Sequence, residues 1–188
     1  MFKLFLRALN APALIFLVAI GVAIQSSLFG IYPLRYIQPD VVLIVVIWCA
    51  LKRSFVEGGI LTLILGNVAE IHSSSPQGLM LISYMSVYLL VKLASRWLVI
   101  PTLSSLVLLT LGASVVWKLV SLGTLYLMGA AQHQWRHTLL FIFFGALANG
   151  ALAIWLYKKL DRFDWVTFKN ARAQQLLEDE LRLEEDFV

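Results

Sequence analysis

The sequence predicts an all-α integral membrane protein, a bundle of six transmembrane helices followed by a short cytoplasmic helix at the C-terminus. Three observations predict it. Six apolar runs are spaced along residues 1–160, the gaps between them alternate between cation-rich and cation-poor, and 60% of the residues are apolar. A mean hydropathy of +0.83 describes a chain that dissolves in lipid rather than a water-soluble domain of this length.

The runs cover residues 11–29, 40–51, 55–71, 79–94, 103–128 and 138–157. Most approach the ~20 residues that a helix needs to cross about 30 Å of hydrocarbon. Cations sit at Lys3 and Arg7, at Lys52 and Arg53, at Lys92 and Arg96, and at Lys158, Lys159 and Arg162, whereas the intervening gaps hold only Arg35 and Arg136. Because cytoplasmic loops carry the excess of Lys and Arg, both termini are expected in the cytoplasm. Residues 1–160 form the transmembrane domain and hold 11 Lys and Arg against 3 Asp and Glu, and residues 161–188 form an acidic tail with 4 against 8. The net charge of +4 therefore arises in inner loops and implies no nucleic-acid partner.

The first run follows a basic start, as a secretory signal would. It is longer than a usual signal core, no small-x-small site follows it cleanly, and its removal would leave an odd number of spans, so it is read as an uncleaved helix. The second run begins at Pro39-Asp40 and has only a dozen apolar residues, short for a crossing and compatible with a tilted or re-entrant segment. The cations at Lys52 and Arg53 favour crossing, because parity would otherwise break. Cys49, the sole cysteine, has no partner for a disulfide and is read as a small buried apolar residue.

In the third run Gly58, Thr62, Gly66 and Glu70 recur every four residues and share one face. Small residues on one face let another helix approach closely, here within the bundle or from a partner. The sixth run has a comparable set in Gly145, Ala146, Asn149, Gly150 and Ala153, and the first has Gly21 with Gln25. After Glu70 a polar turn leads into the fourth run, with Pro76 at its start and Ser75 as the expected N-cap. His72 beside Glu70 raises a metal reading, but His133 and His137 belong to a different gap and a zinc site needs three or four converging ligands.

Lys118 lies in mid-span of the fifth run, where a charge costs at least ~2.5 kcal/mol and marks a pair or a cavity. Ser114 and Ser121 flank it one turn away on the same face. The spacing S-x-x-x-K differs from the S-x-x-K of penicillin-recognising enzymes, and G-x-S-x-G, H-E-x-x-H and P-loop motifs are missing from the sequence, so catalysis is not expected. Beyond Tyr157, Asp161, Arg162, Asp164 and Trp165 read as an interfacial exit. Residues 168–187 read as a loosely amphipathic helix carrying Leu176, Leu177, Leu181 and Leu183, with acids from Glu178 to Asp186 that anionic lipid would repel.

The segment 39–91 resembles the rod shape-determining protein MreD family. The resemblance rests on Pro39-Asp40 opening a short second helix, Gly58 and then Gly66-x-x-x-Glu70 in the third, a serine-rich turn, and Pro76-x-Gly78 entering an apolar fourth. Family members usually carry aspartate at the position of Glu70 and often an apolar residue at that of Gln77. The resemblance implies a multi-pass protein of the bacterial inner membrane, with a bundle similar to the substrate-binding subunits of energy-coupling-factor vitamin transporters. It further implies a scaffold of the elongation machinery without catalytic activity or cofactor. MreC is the expected direct partner, and RodA, a class B penicillin-binding protein and MreB are reached through it. The alternatives are a transporter subunit that binds a small molecule or lipid, with Lys118 facing an anion, and an intramembrane enzyme.

Overall fold

In the computed structural model residues 2–30, 38–73, 75–96, 103–129 and 135–169 are described. They form six helices and, among the described residues, no strand: α1 (Phe2–Leu28), α2 (Val41–Lys52), α3 (Phe55–Ile71), α4 (Leu79–Ala94), α5 (Leu103–Leu127) and α6 (Trp135–Val166). The positions Arg35, Ser74, Gln134 and His133, and the tail from residue 170 with Leu176, Leu177, Leu181 and Leu183, lie outside the described residues.

Helix α2 organises the bundle. Its sequence, Val-Val-Leu-Ile-Val-Val-Ile-Trp, is β-branched and by propensity alone would favour a strand. A strand in an apolar interior would leave its backbone groups unpaired unless a sheet received it, whereas a helix satisfies them internally. Every residue from Val42 to Ala50 is buried, and α2 packs against α1, α3, α4, α5 and α6. A helix that is apolar all round belongs in such a position. At 12 residues it is about 18 Å long, so its shortness, which suggested a tilted or re-entrant span, reflects a place at the centre of the molecule.

Successive helices run antiparallel. Gln25 near the end of α1 meets Val41 at the start of α2, while Asn10 near the start of α1 meets Arg53 just after α2 and Asp164 late in α6. At one end of the bundle Lys92 donates to the carbonyls of Ala50 (2.9 Å) and Arg53 (2.6 Å). It thereby satisfies carbonyl groups that the end of α2 leaves open. At the same end Ser54 caps α3 by accepting from the Glu57 N–H at 3.3 Å, in an S-x-x-E arrangement typical of a helix start.

The structure shifts several boundaries. The first helix begins at Phe2 rather than at residue 11 and contains Pro12. The sixth extends from Trp135 to Val166 and takes in Asp161, Arg162, Asp164 and Trp165. Ser75 is not the N-cap of α4: that place belongs to Gly78, whose φ of +85° is left-handed backbone that glycine adopts without a Cβ penalty. Among the described residues two segments, Phe5–Leu28 and Ser105–Leu127, are long and apolar enough to cross a membrane, and Val41–Lys52 and Leu79–Ala94 are shorter apolar helices.

Candidate functional site

All six helices contribute to a cavity of about 790 Å³ in the half of the bundle that holds the end of α1 and the start of α2. Its polar wall is built upward from Asp40. The Asp40 carboxylate caps α2 through one oxygen, accepting the Leu43 N–H at 3.0 Å, and accepts the Tyr84 hydroxyl at 2.7 Å through the other. The Asp40 N–H donates to Asn149 Oδ1 at 2.6 Å, the Asn149 amide donates to Ser114 Oγ at 3.0 Å, and the Val41 N–H donates to Gln25 Oε1 at 3.0 Å. One short polar chain thus ties α1, α2, α4, α5 and α6 together where the first turn of α2 has spare N–H groups.

Lys118 lines this cavity with Asp40. Its ammonium stands 4.8 Å from the centroid of the Trp117 ring, within cation–π range. Among the described residues it forms no ion pair and no hydrogen bond. The Trp117 ring stacks on Tyr84 at 5.7 Å, and its buried Nε1–H has no acceptor. Ser114 donates to the Thr110 carbonyl (2.8 Å), and Ser121 lies within bonding distance of the Trp117 carbonyl (2.8 Å) and Ser83 Oγ (3.0 Å). Neither serine touches Lys118, so the nucleophile–base contact that a Ser/Lys reading needs is not formed among the described residues.

The family-motif residues build the joint between α2, α3 and α4. A Cβ on Gly58 would sit 2.8 Å from the Tyr88 hydroxyl oxygen and 3.2 Å from the Cys49 carbonyl oxygen, and one on Gly66 would sit 3.2 Å from Leu81 Cα. Both glycines therefore mark close approaches, the first of α3 to α2 and α4, the second of α3 to the backbone of α4. The Glu70 carboxylate accepts the Gly78 N–H across the turn, and the Leu79 N–H donates to the Pro76 carbonyl at 3.2 Å. Glu70 so ties the end of α3 to Gly78, the residue that opens α4. Pro39 lines the cavity beside Asp40. His72 ends α3 as its C-cap, exposed, with Nδ1 2.9 Å from the Val68 carbonyl oxygen, and among the described residues no three His, Cys, Asp or Glu side chains converge as metal ligands.

The opposite end of the bundle holds a buried ion pair. Arg53 Nη2 donates to Asp164 Oδ1 at 2.6 Å and to Asn10 Oδ1 at 2.8 Å, and the Asn10 amide donates to Asp164 (3.0 Å) and Thr167 (2.6 Å). The Arg53 guanidinium also lies over Trp48 at 4.9 Å. Burial pushes the Asp164 carboxyl above its ordinary range, and the Arg53 charge and the Asn10 amide pull it back. Arg53 was expected as a loop cation beside Lys52, yet its side chain is 2% exposed. Lys52 is solvated and reaches Asp161 at 3.5 Å.

In comparison with known proteins, no family model, no curated protein and no solved structure matches this chain.

Asn149, Tyr84 and Trp117 join the site without having been singled out for it, although Asn149 stood in the small-residue face of the sixth run. A polar side chain in an apolar helix is a site candidate by default. That rule alone would have raised Asn149.

Proposed function

We propose that the chain is a non-enzymatic membrane scaffold of the MreD type. It binds MreC and helps organise lateral peptidoglycan synthesis by RodA and a class B penicillin-binding protein, with MreB reached indirectly. The observation that carries the reading is the use made of segment 39–91. The residues behind the resemblance are spent on holding helices together: Asp40 caps α2 and holds Tyr84, Gly66 admits Leu81, and Glu70 closes the turn at Gly78. Residues spent in this way suit a protein whose product is a surface.

The same reading places six spans in the bacterial inner membrane with both termini in the cytoplasm. It is supported by the antiparallel order and by large apolar side chains facing outward on every helix but α2, among them Phe16, Ile60, Leu90, Leu108 and Phe143. A water-soluble monomer rarely presents apolar surface on that scale. Arg7, Lys52, Lys92 and Lys158 gather toward the end of the bundle opposite the cavity, as the charge rule for cytoplasmic loops requires.

Co-purification tests the proposal. The detergent-solubilised chain, expressed with MreC, is expected to elute as a stable complex and to restore rod shape to cells that lack their own MreD. Elution as separate species together with failure to restore shape would leave the second reading, a transporter subunit for a small molecule or lipid, which the cavity at Lys118 favours.

A further inference from the structure

We propose that the cavity binds an acidic group, a carboxylate or phosphate carried on an apolar body, with Lys118 as its counter-charge. The proposal stands apart from the scaffold reading, since it concerns what fills the bundle and not what docks on it.

Lys118 faces a cavity whose carboxylate is already engaged. Among the described residues the one carboxylate in the cavity wall is Asp40, which already takes the Leu43 N–H and the Tyr84 hydroxyl. Gln25 and Asn149 spend their carbonyl oxygens on the Val41 and Asp40 N–H groups. Among the described residues the Lys118 ammonium, the charged donor of the wall, has no hydrogen-bonded acceptor, and the adjacent Trp117 Nε1–H is buried without one. A buried donor without an acceptor is costly, and a cation inside a span is costlier. An incoming anion relieves the cation, and charge-assisted bonds are the strong ones.

The remaining wall selects the rest of the ligand. Trp117 and Tyr84 present stacked rings, and Val22, Leu122 and Leu125 line the cavity beside them, a surface for rings or acyl chain. A volume of about 790 Å³ lies within the roughly 300–1,000 Å³ of small-molecule sites. An acidic lipid headgroup and a free organic acid share this chemistry.

Native mass spectrometry of the full chain, delipidated in detergent and without MreC, separates the two sources. The probes are phosphatidylglycerol, 4-phenylbutyrate and, as the uncharged control, diacylglycerol. At least one acidic probe is expected to bind about tenfold more tightly than diacylglycerol, and Lys118→Met should remove that preference while thermal stability is retained. Preference for phosphatidylglycerol identifies a lipid occupant, and preference for 4-phenylbutyrate a soluble acid. Equal binding of all three probes, or undiminished acidic binding by Lys118→Met, overturns the proposal and leaves Lys118 answering to Asp40 alone. Should Lys118→Met fail to fold, Lys118→Gln carries the test, because it keeps a donor and removes the charge. An acidic probe should then bind about threefold or more weakly, and unchanged affinity would refute the site.

Discussion

At the scale of single residues, the buried Arg53–Asp164 pair gives the sharpest expectation. Asp164→Asn leaves a buried guanidinium with only the longer 3.8 Å contact to Glu57, and breaking a buried pair in this way costs about 3–5 kcal/mol. Thermal unfolding in detergent should show the loss, whereas Arg53→Met combined with Asp164→Leu should recover most of it, since no orphan charge remains. A double variant no more stable than Asp164→Asn would show that the pair is needed for more than mutual neutralisation. Gly58 is the second such position. Gly58→Val drives its side chain into Tyr88, which also donates to the Phe55 carbonyl at 2.7 Å, so overpacking should cost about 1–3 kcal/mol and lower the yield of folded protein. The same substitution at Gly112, where an added Cβ meets nothing within 4 Å, is the control and should leave yield unchanged.

At the scale of elements, the α3–α4 joint can be taken apart in two ways. Glu70→Gln keeps an oxygen for the Gly78 N–H and should unfold near the wild-type temperature, while Glu70→Ala abandons it at the ~1 kcal/mol typical of a lost cap. Equal melting temperatures for the two variants would remove Glu70 from the turn. Gly66→Leu should be worse than either, because the Leu81 backbone cannot retreat as a side-chain tip can. The joint was legible in the sequence because its parts lie within a few turns of one another: four-residue spacing puts Gly58, Gly66 and Glu70 on one face whatever the rest of the chain does. Lys118 announced itself by its cost in lipid. Its neighbour Asp40 lies 78 positions earlier in the sequence, and the encounter depends on how α2 sits against α5, which no local pattern states. Arg53 misled for the complementary reason. A cation in a short gap reads as solvated loop, and only the return of α6 to its side buries it.

At the scale of the whole molecule, the proposed topology is open to direct test. Reporters fused after Lys52, after Lys92 and at Val188 should register the cytoplasm, and reporters near Arg35, Ser74 and Gln134 the outside. An outside signal after Lys52 would remove α2 from the spans. The central place of α2 also orders events in time as the chain is made. Its C-terminal carbonyls wait for Lys92, and the charge on Arg53 waits for Asp164, 111 residues further along. At ribosomal speeds of about 5–20 residues per second, that is roughly 6–20 s. For that interval the nascent chain can offer Arg53 only the more distant carboxylate of Glu57, 3.8 Å away in the finished fold, and a ribosome that stops before α6 is complete releases a protein whose arginine lacks its 2.6 Å partner.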